Sequence, residues 1–116
     1  MRAELTQLME FFSAALDSRA GAAMRALMAE LEHEQARTFK GFIVERVLEP
    51  ATLQILHRGE VRGDVRPGAA TKLAAEVVPA MLLYRAKLCD GQLEPDFGAA
   101  MVDEVLLPMV RPVHLG

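Results

Sequence analysis

Apolar residues recur every three or four positions along most of the chain, and the strict alternation typical of a β-strand is absent. The first of these stripes predicts a helix that ends near Ser18, before Gly21. Its members are Leu5, Leu8, Met9, Phe12 and Leu16. A shorter second helix is predicted next, and the polar residues 32–35 after it indicate a turn or a solvated face. Its stripe consists of Met24, Leu27, Met28 and Leu31.

A long third helix is predicted over residues 36–62, with apolar side chains on two sides. Because Pro50 lacks an N–H and its ring collides with the preceding turn, we expect a kink or a break near Glu49. One stripe, which we expect to face a shared interior, contains Phe39, Ile43, Arg46, Pro50, Leu53 and His57. The other stripe contains Val44, Leu48, Ala51 and Ile55.

The ten residues GEVRGDVRPG, from Gly59 to Gly68, interrupt the helical pattern. Gly63 suits the position just after a helix end, where a left-handed backbone favours glycine. Arg58 and Arg62 suit the negative end of the helix dipole. Pro67 then marks the entry to the next helix. The stretch therefore predicts a turn that ends the long helix and redirects the chain.

Two further helices are predicted over residues 69–89 and 95–110, and each is apolar over a wide arc. A helix that packs only on its own domain needs a narrower stripe, so either a partner subunit or a surrounding core covers the rest. In the first helix the two sides are Leu73, Val77, Ala80, Tyr84 and Leu88, and Ala74, Val78, Met81 and Leu82. In the second they are Phe97, Met101, Val105 and Pro108, and Val102, Leu106 and Met109.

Length and charge narrow the class of protein. The 116 residues suit one all-α domain of about five helices over positions 1–116. A net charge of −3 argues against nucleic-acid binding by these residues, because phosphate contacts need clustered lysine and arginine. The single cysteine, Cys89, allows no disulfide within the chain, and the start has no signal peptide, so we expect a cytoplasmic protein. The longest uncharged run, residues 77–84, is too short to span a membrane.

Catalytic and metal-binding motifs are scarce. The chain has no phosphate-binding loop, no glycine-rich dinucleotide turn and no nucleophile elbow. Glu30 and His33 form one ExxH pair, whereas a di-metal bundle needs two such pairs and two further carboxylates. Cys89 has no histidine near it in the sequence and suits a small packed residue. We therefore predict no enzyme activity, no metal and no cofactor.

The methionine and phenylalanine content instead indicates an adaptable apolar lining. Arg46 and His57 would supply its polar contacts, unless Arg46 pairs with Glu45 or Glu49 and His57 caps or packs. Tyr84 needs a partner for its hydroxyl if it is buried. The residues predicted to line a ligand pocket are Met9, Phe12, Met24, Met28, Phe39, Ile43, Arg46, His57, Met81 and Tyr84.

Residues 58–110 resemble the C-terminal part of tetracycline-repressor-type (TetR family) transcriptional regulators. The resemblance rests on the phrase Arg62 to Pro67, the alanine-rich helix from Ala69 to Arg85, the Asp90-Gly91 loop and the last helix from Phe97 to Val110. The upstream segments AAMRALMAELEHEQ and FIVERVLEPATLQIL are also similar to the central helices of that family. The resemblance thus covers about the whole chain.

The family's N-terminal helix-turn-helix module has no counterpart here, so we expect a fragment of a longer regulator that contacts DNA only through a missing domain. The resemblance implies that helices 69–89 and 95–110 pair with their symmetry mates as a four-helix bundle. The predicted homodimer residues are Val78, Leu82, Val102, Leu106 and Met109. The resemblance also implies an effector pocket between the earlier helices. The implied mechanism is a shift in the population of protein conformations when the effector binds. The alternatives are a small helical-bundle enzyme or metal protein, and a plain interaction module.

Overall fold

The computed structural model describes residues 1–19, 21–23, 32–88 and 93–113, and these residues are mostly helical, with no strand among them. Helix α1 spans Arg2–Asp17 and α4 spans Lys72–Leu88. The long helix between them consists of α2 (His33–Phe39), the π-helical segment π1 (Lys40–Leu48) and α3 (Glu49–Arg62). The last helix consists of α5 (Phe97–Ala100), the π-helical segment π2 (Met101–Leu106) and α6 (Leu107–Val110). The predicted all-α fold is confirmed.

Ser18 closes the first helix and begins the next helical turn. Helix α1 ends at Asp17, and the backbone of Ser18 is extended. Its side-chain oxygen accepts the N–H of Gly21 at 3.1 Å, and its carbonyl accepts the N–H of Ala22 at 2.9 Å. The predicted end near Ser18 is therefore confirmed. Residues 21–23 are helical, while Met24 and Met28 of the predicted second helix lie outside the described residues.

Each π-helical segment ends just before a proline. Pro50 lies in the first turn of α3, and Pro108 lies in the first turn of α6. Proline has no N–H to donate to the preceding turn, but this loss costs little at the start of a new α-helix. A wider, π-type turn before the proline accommodates the lost bond. The disruption predicted near Glu49 thus takes the form of a change in helix type.

The turn after α3 has the geometry that its glycines predict. Gly63 has a φ angle of 88°, in the left-handed region. The N–H of Asp64 donates to the carbonyl of Gly59 at 2.8 Å, and the N–H of Gly63 donates to the carbonyl of Glu60 at 3.2 Å. These two bonds form a Schellman motif, which satisfies the last carbonyls of the helix. The same turn holds the end of α6, because the N–H of Arg66 donates to the carbonyl of Val110 at 2.7 Å.

The main core lies between α1, α3, α4 and the last helix. Helix α1 runs antiparallel to the last helix, since Arg2 pairs with Asp103 at 2.8 Å and Met9 lies beside Gly98. The buried members of this core are Leu5, Met9, Phe12, Ile55, Val78, Leu82, Phe97, Met101, Val102 and Leu106. A smaller cluster under the turn contains Leu56, Val65, Ala74 and Val110.

Candidate functional site

The predicted pocket residues divide into inward-facing and outward-facing groups. Met9 and Phe12 are buried in the main core, and Met81 packs against it while half-buried. Ile43 of π1 is also half-buried. Met24, Met28 and the side chain of Phe39 lie outside what the structure describes. A methionine-containing interior is thus present, while its use as a pocket stays a prediction.

Arg46, His57 and Tyr84 are exposed, so the prediction that they face an interior is wrong. The guanidinium carbon of Arg46 lies 5.0 Å from the ring centroid of Phe42, which is itself 58% exposed. Neither predicted carboxylate pairs with Arg46 in the described residues, and Glu45 pairs with Lys40 at 3.5 Å instead. The long helix turns its other stripe inward, and the inward positions are Val44, Glu49, Thr52, Ile55, Leu56 and Gly59.

The predicted dimer residues need a similar correction. Val78, Val102 and Leu106 are fully buried within one chain, and Leu82 is 5% exposed. They cannot be presented to a partner, because α1 and α3 already cover them. Met109 is half-buried between the two core clusters. The physical reason is that α4 and π2 pack these stripes into the core of the same chain, whereas we expected the stripes to face a partner subunit.

The opposite side of α4 is apolar and largely exposed. Leu73, Val77, Ala80 and Tyr84 follow one another at steps of four, three and four, which places them on one face. Leu73 is 75% exposed, Tyr84 is 52% exposed and Ala80 is exposed, whereas Val77 is half-buried and packs against the edge of the main core. We call these four residues the outer face of α4. Contiguous exposed apolar surface of this kind is typical of an interaction site.

A buried arginine lies at the C-terminal end of α4. Arg85 donates from Nε and Nη2 to the two carboxylate oxygens of Glu94, at 3.0 and 3.3 Å. Its guanidinium carbon lies 4.1 Å from the ring centroid of Phe97, which is buried. The Arg85 side chain is only 16% exposed, whereas the other paired arginines, Arg2, Arg58 and Arg62, are about half exposed. We call Arg85, Glu94 and Phe97 the Arg85 cluster.

Sequence reasoning missed the Arg85 cluster as a site. Arg85 entered only as the end of the tyrosine-arginine phrase in the alanine-rich helix. A usable signal was its position four residues after Met81, next to the inward stripe of α4. Glu94 lies nine residues after Arg85 in the chain, so sequence spacing alone does not predict that the two side chains pair.

Three carboxylates that pair with arginines predict how stability responds to acid. Hydrogen bonds from arginine lower the pKa of Glu4, Glu94 and Asp103 below their ordinary values. The unfolded chain therefore binds more protons as the pH falls. The stabilisation is complete above about pH 5.5, roughly one unit above the ordinary pKa of glutamate, and is lost as the pH falls through the lower folded-state pKa values. The urea concentration at the midpoint of unfolding should stay constant near neutral pH and should fall in acid. The midpoint of the Glu4→Gln variant should fall less in acid than that of the wild type. An equal fall in the two proteins would contradict the pairing of Glu4 with arginine.

Comparisons with known proteins place the chain in a family. The described residues form an all-α bundle around a buried apolar core. More particularly, the family model described as "Tetracyclin repressor-like, C-terminal domain" matches residues 1–105, and the chain belongs to this family. Comparisons with curated proteins and with solved structures give no match.

The described residues show neither a membrane-spanning helix nor a metal-binding cluster. None of their helices combines the length and apolar character needed to cross a membrane. They also contain no group of three or more histidine, cysteine, aspartate or glutamate side chains placed to hold a metal ion.

Proposed function

We propose that this chain is the effector-sensing and dimerisation domain of a TetR-type transcriptional regulator, which acts in the cytoplasm by binding rather than by catalysis. DNA contact belongs to a separate helix-turn-helix module. Membership of the family of tetracyclin repressor-like C-terminal domains supports the regulatory role. The observation that carries the proposal is the outer face of α4, where Leu73, Ala80 and Tyr84 remain exposed after the chain has formed its own core.

A second copy of the chain is the proposed partner for this face. Most soluble oligomers are homo-oligomers, and a two-fold axis brings the same patch of both subunits together. Leu73 and Tyr84 lie near opposite ends of α4, so the apolar face extends over most of the helix. Ala80 between them lets two helices approach closely. The proposed interface therefore uses Leu73, Val77, Ala80 and Tyr84 in place of Val78 and Leu82.

Ala80→Asp tests this interface. We expect the wild-type chain to be a dimer at tens of micromolar and the variant to be a folded monomer, because the aspartate would lose its water at an apolar contact. Size-exclusion chromatography with light scattering measures the change. Val61→Asp is the matched control, since Val61 is 89% exposed and lies on α3 rather than α4. A monomeric wild type, or equal dissociation in both variants, would overturn the proposed interface.

The proposed effector is a small, mainly apolar molecule. Met9, Phe12 and Met81 support this choice, because thioether and aromatic side chains adapt to irregular apolar ligands. An effector that binds one arrangement of the bundle better shifts the population of dimer conformations and so the spacing of the DNA-reading modules. A thermal-shift screen of apolar compounds on the dimer tests this, because a ligand that binds only the folded chain raises its melting temperature. A stable dimer with no response to any compound would favour a plain interaction module.

A further inference from the structure

Glu49 is the only acidic side chain that is buried in the part of the chain that the structure describes. It is 7% exposed. Within the same described residues, its carboxylate makes no hydrogen bond and no ion pair. A carboxylate that leaves water without a compensating partner is costly, so buried charges are nearly always paired. The burial of Glu49 therefore requires an explanation.

The π-helical segment before Glu49 turns this residue inward. Segment π1 ends at Leu48, and Glu49 is the first residue of α3. At the α-helical period, Glu49 would lie about 140° around the axis from Val44, five residues earlier. Hydrogen bonds in a π-helix join residues five apart, so the two residues come onto the same side, and both are buried. Short π-helical segments of this kind are frequent at functional sites.

The start of α3 does not compensate the charge of Glu49. A free helix N-terminus stabilises a carboxylate through its unpaired N–H groups. Here the helix continues without a break from π1, and Leu48 before the junction has a helical backbone. The first turn of α3 therefore offers no free N-terminus to the carboxylate.

The polar neighbours of Glu49 on the long helix have other partners. The Thr52 hydroxyl donates to a carbonyl of its own helix at 3.0 Å. The guanidinium of Arg46 lies over an exposed phenylalanine ring. Lys40 pairs with Glu45 at 3.5 Å. Each nearby donor is thus already engaged, and the negative charge of Glu49 is left for a partner from outside the chain.

The Glu49 carboxylate also remains within reach of such a partner. Two other unpaired polar atoms in the described residues, the Ser13 side-chain oxygen and Nη1 of Arg85, are fully enclosed by protein. The Glu49 oxygens are not enclosed in this way, so part of the small exposed surface of this side chain belongs to its carboxylate. A ligand atom can therefore contact Glu49, whereas it cannot contact the two enclosed atoms.

We propose that Glu49 is the polar anchor of the effector site and binds the protonated amine of a mainly apolar molecule. The ammonium group donates a hydrogen bond to the carboxylate and supplies the compensating positive charge. A metal ion would need several ligands, and the described residues contain no such cluster. The proposal rests on the effector-binding function proposed above, and Glu49 takes the anchoring role that Arg46 does not fill.

Three probes that share a phenethyl group separate the chemical classes. Phenethylamine carries an ammonium, phenethyl alcohol carries a neutral hydroxyl, and hydrocinnamate carries a carboxylate. At equal millimolar concentration, phenethylamine should raise the melting temperature of the wild-type chain most and hydrocinnamate least. An equal or larger rise with the alcohol or with hydrocinnamate would overturn the amine proposal.

Glu49→Gln gives two opposite readouts. The melting temperature of the free chain should rise, because an amide costs less to bury than an unpaired carboxylate. Phenethylamine binding should weaken at least tenfold, the effect of one lost charged hydrogen bond, while phenethyl alcohol binding should change little. Isothermal titration measures both affinities. Glu45→Gln is the matched control, because it removes the same charge from an exposed side chain that pairs with Lys40. Its amine affinity should equal that of the wild type.

The outcomes distinguish this site from the broader function. Equal phenethylamine affinity in wild type, Glu49→Gln and Glu45→Gln would overturn the role of Glu49, even if the compound screen finds other effectors. No response of the wild type to phenethylamine would also overturn it, whereas failure of the proposed function requires no response across the whole screen. If Glu49→Gln does not fold, Glu49→Asp decides. It keeps the charge but withdraws it by one methylene, so amine binding should weaken, and an unchanged affinity would overturn the proposal.

Discussion

Val78→Asp is expected to unfold the chain. Val78 has no exposed surface, and it packs in the main core formed by α1, α3, α4 and the last helix. An aspartate at this position would take a carboxylate out of water, which costs about 4 kcal/mol, a large part of the total stability of a small domain. Circular dichroism should show loss of helix and of a cooperative melting transition at neutral pH.

Ala80→Asp is the control for this prediction. The two positions lie two residues apart on α4 and receive the same side chain. Alanine loses more helix propensity than valine when aspartate replaces it, so propensity alone would make Ala80→Asp the more harmful change. Ala80 is exposed, so its aspartate should leave the melting of the monomer nearly unchanged. The reverse pattern, with Val78→Asp folded and monomeric, would show that α4 turns its other face inward, as the sequence patterning predicted.

Local chemistry explains why the ends of the helices could be predicted. Ser18 accepts N–H groups that a helix start leaves unpaired, and this preference is a property of serine itself. Gly63 adopts a left-handed backbone that other residues avoid. Neither of these two preferences depends on the residues that pack nearby. The all-α class follows in the same way from the period of the apolar residues.

The inward face of a helix with two apolar sides could not be predicted. In α4, Val78 and Leu82 are buried, while Leu73 and Tyr84 are exposed, although both pairs are apolar. Periodicity shows that two stripes exist, but only the neighbouring helices decide which one is covered. The predicted interface assigned Val78 and Leu82 to the open side of α4, and the predicted anchor assigned Arg46 to the inward side of the long helix. The structure has the reverse in both cases.

The π-helical segments add a second obstacle. In the last helix, the buried Phe97 and Met101 come from one predicted stripe and the buried Val102 and Leu106 come from the other, while the buried Val110 was in neither. Because π2 widens the helix, the angle between successive residues changes and the inward face moves from one stripe to the other. A pattern that assumes the α-helical period throughout cannot follow this change. The prolines that end the segments are its only local signal.

Gly21 shows how closely the start of the second helical region approaches α1. A Cβ built on Gly21 would overlap the carbonyl oxygens of Ala15 and Leu16, in the last turn of α1. These are backbone atoms of a helix, so they cannot move aside as the end of a flexible side chain can. Gly21 is also buried, and its N–H is held by Ser18. The tight connection at Ser18 therefore requires a residue without a side chain here.

Gly21→Ala is expected to destabilise the chain by about 3 kcal/mol, because the overlap must be relieved by moving α1 or the segment that follows it. Gly41→Ala is the matched control. Gly41 lies in π1 with no atom within 4 Å of an added Cβ, so alanine there should stabilise the helix by about 0.7 kcal/mol. Urea unfolding followed by circular dichroism measures both changes. Equal and small effects at the two glycines would show that the close contact with α1 at Gly21 does not exist in solution.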